Sequence, residues 1–238
     1  SLLSRVNWDS KWGVLKARSN GKIRTSLEWT GAGLSAIASN IPSMQSETGQ
    51  FILGSIPFAH YVRFESEGVG EFLTFRNKGN SLNARLKTGG AIVGKNMEVL
   101  PFDRAFYAGG ANGVRGWSAR DLGPGFANAT ELEEGFVNGV GDVQLEVSLE
   151  FRQKLTHALG FAVFTDAGNV WLLPHSSRNE MVHFNPRSVA WSGGVGARLD
   201  FDFFLLRLDG ALRIYDPTQV FEERWTGFGS LRGIGTIF

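Results

Sequence analysis

The chain has no cysteine among its 238 residues, which excludes disulfide frameworks, thiolate metal sites and cysteine nucleophiles. Histidine is scarce, and His60, His157, His175 and His183 are too scattered to form an imidazole metal site, so neither metal nor cofactor is expected. Neither sign of charge dominates: 24 Lys+Arg against 23 Asp+Glu leave a formal charge of +1. That balance excludes a polybasic nucleic-acid binder and an acidic tail, and no nucleic-acid partner is expected. Long apolar runs are also missing. The densest, at 201–206, is broken by Asp202, and nothing approaches the ~18–20 apolar residues of a spanning helix. The opening SLLSRVNWDSKW has no basic region followed by an apolar one, so no signal peptide is read there.

What the chain has in abundance is glycine, at 31 residues, about twice the ordinary share, together with 19 Phe and 7 Trp. Mean hydropathy nevertheless stays near zero. A soluble sandwich is one way to reconcile these values. A membrane β-barrel is another, because its strands alternate apolar and polar residues and average to neutral.

The period along the chain is two. Over 141–152, Val143, Leu145, Val147, Leu149 and Phe151 fall on one face, and Asp142, Gln144, Glu146, Ser148, Glu150 and Arg152 on the other. The alternation recurs and predicts about eight or nine antiparallel strands, near 3–18, 22–38, 58–76, 81–95, 137–153, 158–171, 187–201, 203–216 and 226–238. No segment reads as a long amphipathic helix. Short turns at 19–21, 77–80, 153–157 and 200–202 alternate with long connections at 39–57, 96–136, 172–186 and 216–225. Turns sorted by length onto two sides, strands longer than the ~5–6 residues usual in soluble sheets, and aromatics near strand ends (Trp8, Tyr61, Trp171, Tyr215, Trp225) favour an antiparallel transmembrane β-barrel.

No catalytic pattern stands out. Asp142, Glu146 and Glu150 read as groups lining a polar face rather than paired catalytic carboxylates. Gly89, Gly90 and Gly94 lack the lysine and helix of a phosphate loop. No G-x-S-x-G elbow is present. An enzyme is not expected.

The 96–136 connection is too long to be a structureless loop in a compact domain. Phe106-Tyr107-Ala108-Gly109-Gly110, then Val114-Arg115-Gly116-Trp117, then Leu122-Gly123-Pro124-Gly125 resemble the sixth extracellular loop of the BamA superfamily, the outer membrane protein 85 or bacterial surface antigen family, whose hallmark is VRG[FYW]. Two further blocks follow in order. One runs from Gly141-Asp142 through Ser148-Leu149-Glu150-Phe151-Arg152, and the other is Phe164-Thr165-Asp166-Ala167-Gly168-Asn169-Val170-Trp171. The chain ends on Phe238, similar to the terminal aromatic of outer-membrane proteins. The resemblance covers about 80–238 well and 1–79 loosely.

This likeness implies a bacterial outer-membrane location and a 1–238 barrel domain whose 96–136 loop folds into the lumen. There Arg115 is expected to meet Glu150 and Asp166, with Gly168 beside them. A weak lateral seam is expected at the last strand, carried by Gly227, Gly229, Gly233, Gly235 and Phe238. The family's barrel has about sixteen strands, so this chain reads as half of one, closing alone, as a homodimer or with a second chain. No POTRA domain is visible. The implied function is insertion, assembly or translocation of proteins at the outer membrane. Outer-membrane lipids and nascent outer-membrane proteins or secreted substrates are the implied partners. A two-partner-secretion-like pore, or a structural or lipid-handling barrel without assembly activity, are the alternatives.

Overall fold

In a computed structural model, the described residues are 3–14, 19–46, 50–53, 56–73, 79–94, 96–97, 100–127, 139–176, 179–201, 203–226 and 234–237. The strands are β1 (Leu3–Val14), β2 (Ser19–Thr30), β3 (Ile52–Leu53), β4 (Ile56–Pro57), β5 (Tyr61–Leu73), β6 (Asn80–Val93), β7 (Val143–Lys154), β8 (Leu159–Trp171), β9 (Ala190–Asp200), β10 (Leu205–Tyr215) and β11 (Ile234–Ile237). A short helix α1 (Ala32–Ala38) follows β2. Nine strands form one sheet in the order β1-β2-β5-β6-β7-β8-β9-β10-β11, while β3 and β4 make a separate small hairpin. Every neighbouring pair is antiparallel, as chain-adjacent strands joined on alternate sides must be. Among the described residues no ladder joins β1 to β11, so the sheet is open.

The alternation at 22–38 does not continue as strand: Gly31 takes a left-handed φ of 75° and the chain turns into α1. The expected strand at 226–238 is described only over Ile234–Ile237, of which Gly235 pairs with Asp209. Gly227, Gly229, Gly233 and Phe238 lie outside the described residues. In addition, Tyr215 does not share a face with Arg213. A β-bulge between them sets Tyr215 opposite Trp191, while Arg213 stays opposite Ser192.

Burial settles which face meets what. On β7 to β9 the polar side chains are enclosed, Gln144, Glu146, Glu150, Asp166, Ser192 and Arg198 among them, whereas Val147, Leu149, Phe161, Val163 and Val195 are exposed. A soluble sheet buries the opposite set. An apolar face this continuous and this bare requires an apolar surrounding. No helix of the described residues is long and apolar enough to cross a membrane. The enclosed face is filled by the connection between β6 and β7. A hydrophobic cluster of Tyr61, Ala91, Leu100, Phe106, Ala108, Val114, Trp117, Leu122, Val170 and Ala190 joins that connection to the sheet.

Candidate functional site: a loop latched to the polar face

The β6–β7 connection first lies against the ends of β5 and β6. Phe106 bridges Gly141, with backbone hydrogen bonds of 3.0 and 2.9 Å in the two directions. Its ring occupies the space that a Cβ on Gly89 would fill, with the built atom only 2.3 Å from the ring edge. Gly89 is thus a seat for an aromatic anchor. From there the loop doubles back on itself. Ala108 bridges Leu122, and the Gly110 N–H donates to the Trp117 carbonyl at 2.8 Å. The tip so formed carries Val114, Arg115, Gly116 and Trp117.

Each residue of this tetrapeptide has a separate physical task. Val114 and Trp117 are buried in the hydrophobic cluster. Gly116 has φ of +102°, a conformation that side chains disfavour, and this reversal lets its two neighbours point into different surroundings. Its carbonyl accepts from Arg213 Nε at 2.9 Å, and the same guanidinium lies 4.9 Å from the Trp117 ring centroid.

Arg115 points into the polar face. It holds Asp166 with two side-chain bonds, Nε to Oδ2 at 2.6 Å and Nη2 to Oδ1 at 2.8 Å, and its backbone N–H adds a third at 3.2 Å. Nη1 donates to Glu150 Oε2 at 2.7 Å and to Asp209 Oδ2 at 3.3 Å. The guanidinium stacks 3.4 Å from the centroid of Phe164. This is the planar fork used as a fork, with the ring face covering one side. Burial alone would lower the Arg115 pKa, but the bonds and charges of Asp166 and Glu150 outweigh it and hold the group above its ordinary range. The tip is a permanent cation.

The acceptors are shared. Arg198 reaches Glu150 at 2.8 Å and Asp209 at 2.5 Å, Arg152 reaches Glu150 at 2.7 Å, and Arg207 reaches Asp209 at 3.2 Å. Ser148 donates to Asp166 Oδ1 at 2.6 Å. Three carboxylates from β7, β8 and β10 therefore sit in one network with four guanidinium groups, and inward phase on adjacent strands is what brings them together. Gly168, expected beside Arg115, instead lies against the backbone of Leu145 and Glu146, where a Cβ would come within 2.4 Å of the Leu145 carbonyl.

Asp209 and Arg198 were not among the expected site residues. Both fall on the polar side of the alternation, which was their only signal. A second set was also missed. Glu28 is enclosed, receives the Tyr61 hydroxyl at 2.6 Å, and pairs with Arg104 of the loop at 3.5 Å. Arg63 donates to the Arg104 carbonyl at 3.0 Å and stacks 4.2 Å from the Phe106 centroid. Farther down, the tip carbonyls are capped from two walls. Arg85 donates to Asn112 and Arg207 to Ala111. Beside the tip a cavity of about 420 Å³ remains, lined by charged groups including Glu67, Arg85, Arg152 and Arg207. No cluster of potential metal ligands occurs among the described residues.

Residues 43–226 match the model of the Omp85 superfamily domain, well over half of the chain. The chain belongs to the Omp85 superfamily. A solved structure that it resembles is BamA from Haemophilus ducreyi lacking POTRA domains 1–3, with a TM-score of 0.57 and 16% identity. The match covers 88% of this chain and 38% of that one, so the chain spans well under half of the protein it matches. An Omp85 chain with an open nine-stranded sheet, apolar outside and polar inside, is part of a bacterial outer-membrane β-barrel. The VRGW tip, Arg115 network and Glu28 contact are therefore features of an Omp85 barrel wall and the loop seated on it.

Proposed function

We propose that the protein assists insertion, assembly or translocation of proteins at the bacterial outer membrane, with the β6–β7 loop as an extracellular segment folded into the lumen and latched there by Arg115. The observation that carries this reading is the Arg115 network. A loop tip tied to three strands at once through Asp166, Glu150 and Asp209 braces the wall next to the end of the sheet. β11 pairs with β10 from Arg207 to Gly210. On this reading the last strand is the one that parts from its neighbour, and the edge so freed would template an incoming strand. On this reading the glycines of the last strand weaken the seam, and the work is strand templating and local disturbance of the bilayer, with no chemical step. Lipids and nascent outer-membrane proteins or secreted chains are the proposed partners. A second copy or further strands from elsewhere would complete the wall.

Depletion of the protein tests this, with the abundance and heat-modifiable folding of other outer-membrane proteins as the readout. Assembly intermediates should accumulate. Normal levels and normal folding of those clients would overturn the assembly role and leave a structural or lipid-handling barrel.

The charged cavity beside the tip favours one second reading, a transport pore plugged by the loop. Planar-bilayer conductance separates the two. Arg115→Ala should raise conductance sharply if the loop is a plug and leave it nearly unchanged if the loop is a brace.

A further inference from the structure

At the rim where the long connections leave the sheet, the ends of β9 and β10 border a pocket of about 620 Å³. Its walls include Arg187, Trp191, Tyr215, Phe221, Arg224 and Trp225. Three of the rings form one stack: Trp225 meets Tyr215 edge-on at 5.0 Å and Trp191 at 6.3 Å. Two are fixed by hydrogen bonds, Trp191 Nε1 to Thr165 Oγ1 at 2.6 Å and the Tyr215 hydroxyl to the Arg187 carbonyl at 2.6 Å. The bulge after Arg213 is what turns Tyr215 to the outward side, where Trp191 already stands. Trp191, Phe221 and Trp225 are exposed.

Arg224 donates from Nε to the Gln219 carbonyl at 3.1 Å and lies 4.3 Å from the Phe126 ring centroid. Among the described residues neither it nor Arg187 has a carboxylate partner. Glu222 and Glu223, next to Arg224 in the chain, are exposed and make no ion pair with it. This contrasts with the inner face, where Arg115, Arg152, Arg198 and Arg207 are each paired with an acid. Below Trp191 the outward surface continues through Val195 and its cross-strand neighbour Val163, both exposed.

We propose that this pocket binds the phosphate of a membrane lipid headgroup in the leaflet at the long-loop rim, with an acyl chain lying along the outward surface below Trp191. The charge complementarity is direct: two guanidinium groups with no acid partner among the described residues line a site that tryptophan and tyrosine place at the level of the headgroups. An ion alone would not use the apolar wall, and a neutral lipid would not use the arginines. The proposal rests on the membrane-barrel assignment and not on the assembly role, so depletion and lipid binding can fail independently.

The test uses the full chain in phosphatidylcholine bilayers doped with phosphatidic acid brominated on its acyl chains, with tryptophan quenching as the readout. Brominated diacylglycerol serves as the phosphate-free control. Wild type should show saturable quenching by phosphatidic acid above the unsaturable level that brominated diacylglycerol gives at the other exposed tryptophans. Arg187→Gln with Arg224→Gln should raise the half-saturating lipid fraction about 25-fold, roughly fivefold for each charge. Arg187→Lys with Arg224→Lys should retain part of the preference. Equal quenching by the two brominated lipids overturns the proposal whether or not any variant folds. An unchanged response in the folded glutamine pair also overturns it. Inorganic phosphate should fail to compete, and full competition would overturn the lipid as the source.

Discussion

Val195 and Arg198 lie three residues apart on β9, and they face opposite surroundings. Val195 is 52% exposed and Arg198 is 8% exposed, paired with Glu150 and Asp209. The outer face asks only for compatibility with hydrocarbon, and no particular neighbour is required. The inner face asks for partners, because a charge withdrawn from water must be matched group by group. One strand therefore carries two kinds of specification, a general one on the lipid side and a pairwise one on the loop side. The loop uses the second kind. Its tip is bound through named atoms on three strands, while Phe106 at its base and Trp117 at the tip add apolar burial.

Changes on the two faces should differ in kind as well as in size. The largest effect is expected from Arg115→Ala, which leaves Asp166 without its cation and takes one of several cations from Glu150 and from Asp209. A loss of about 3–5 kcal/mol is expected at the buried limit, read as a lower denaturant midpoint and new protease cleavage within the loop. Val195→Lys tests the outer face. It should cost about 2–4 kcal/mol in a bilayer without exposing the loop to protease, and a loop-exposing result would show that the faces are coupled. Gly116→Ala should cost about 1–3 kcal/mol through the left-handed backbone it must hold, with the loss appearing as loop release. The smallest effect is expected from Tyr61→Phe, about 0.5–1.5 kcal/mol. It removes one hydrogen bond to Glu28 and leaves Arg104 in place. Protection of the loop base, measured by hydrogen exchange, should fall while the Arg115 end stays protected.

Legibility followed the range of each interaction. Alternation at 141–152 reports β7 directly, because side chains on a strand change sides at every residue. The same rule marked Asp209 and Arg198 as facing the polar side but could not say that they meet. Asp209 lies 94 residues from Arg115 in sequence, and nothing local encodes that separation. The approach of Arg115 to Asp166 and Glu150 was expected from the family likeness and not from the period. Tyr215 shows the opposite failure. Strict alternation puts it inside with Arg213, and a single extra residue in the ladder turns it outward to join Trp191 and Trp225. The Glu28–Tyr61–Arg104 contact left no trace in the pattern because it depends on where the loop comes to rest.

From the order of residues alone came the strands, their two faces and the family of the loop motif, since these depend on period and on contiguous words of sequence. Which side is enclosed, which carboxylates share Arg115, and which arginines are left without an acid were decided only when the strands lay side by side. Those outcomes depend on register and on the seating of the loop, and both are properties of distance in space rather than of position along the chain.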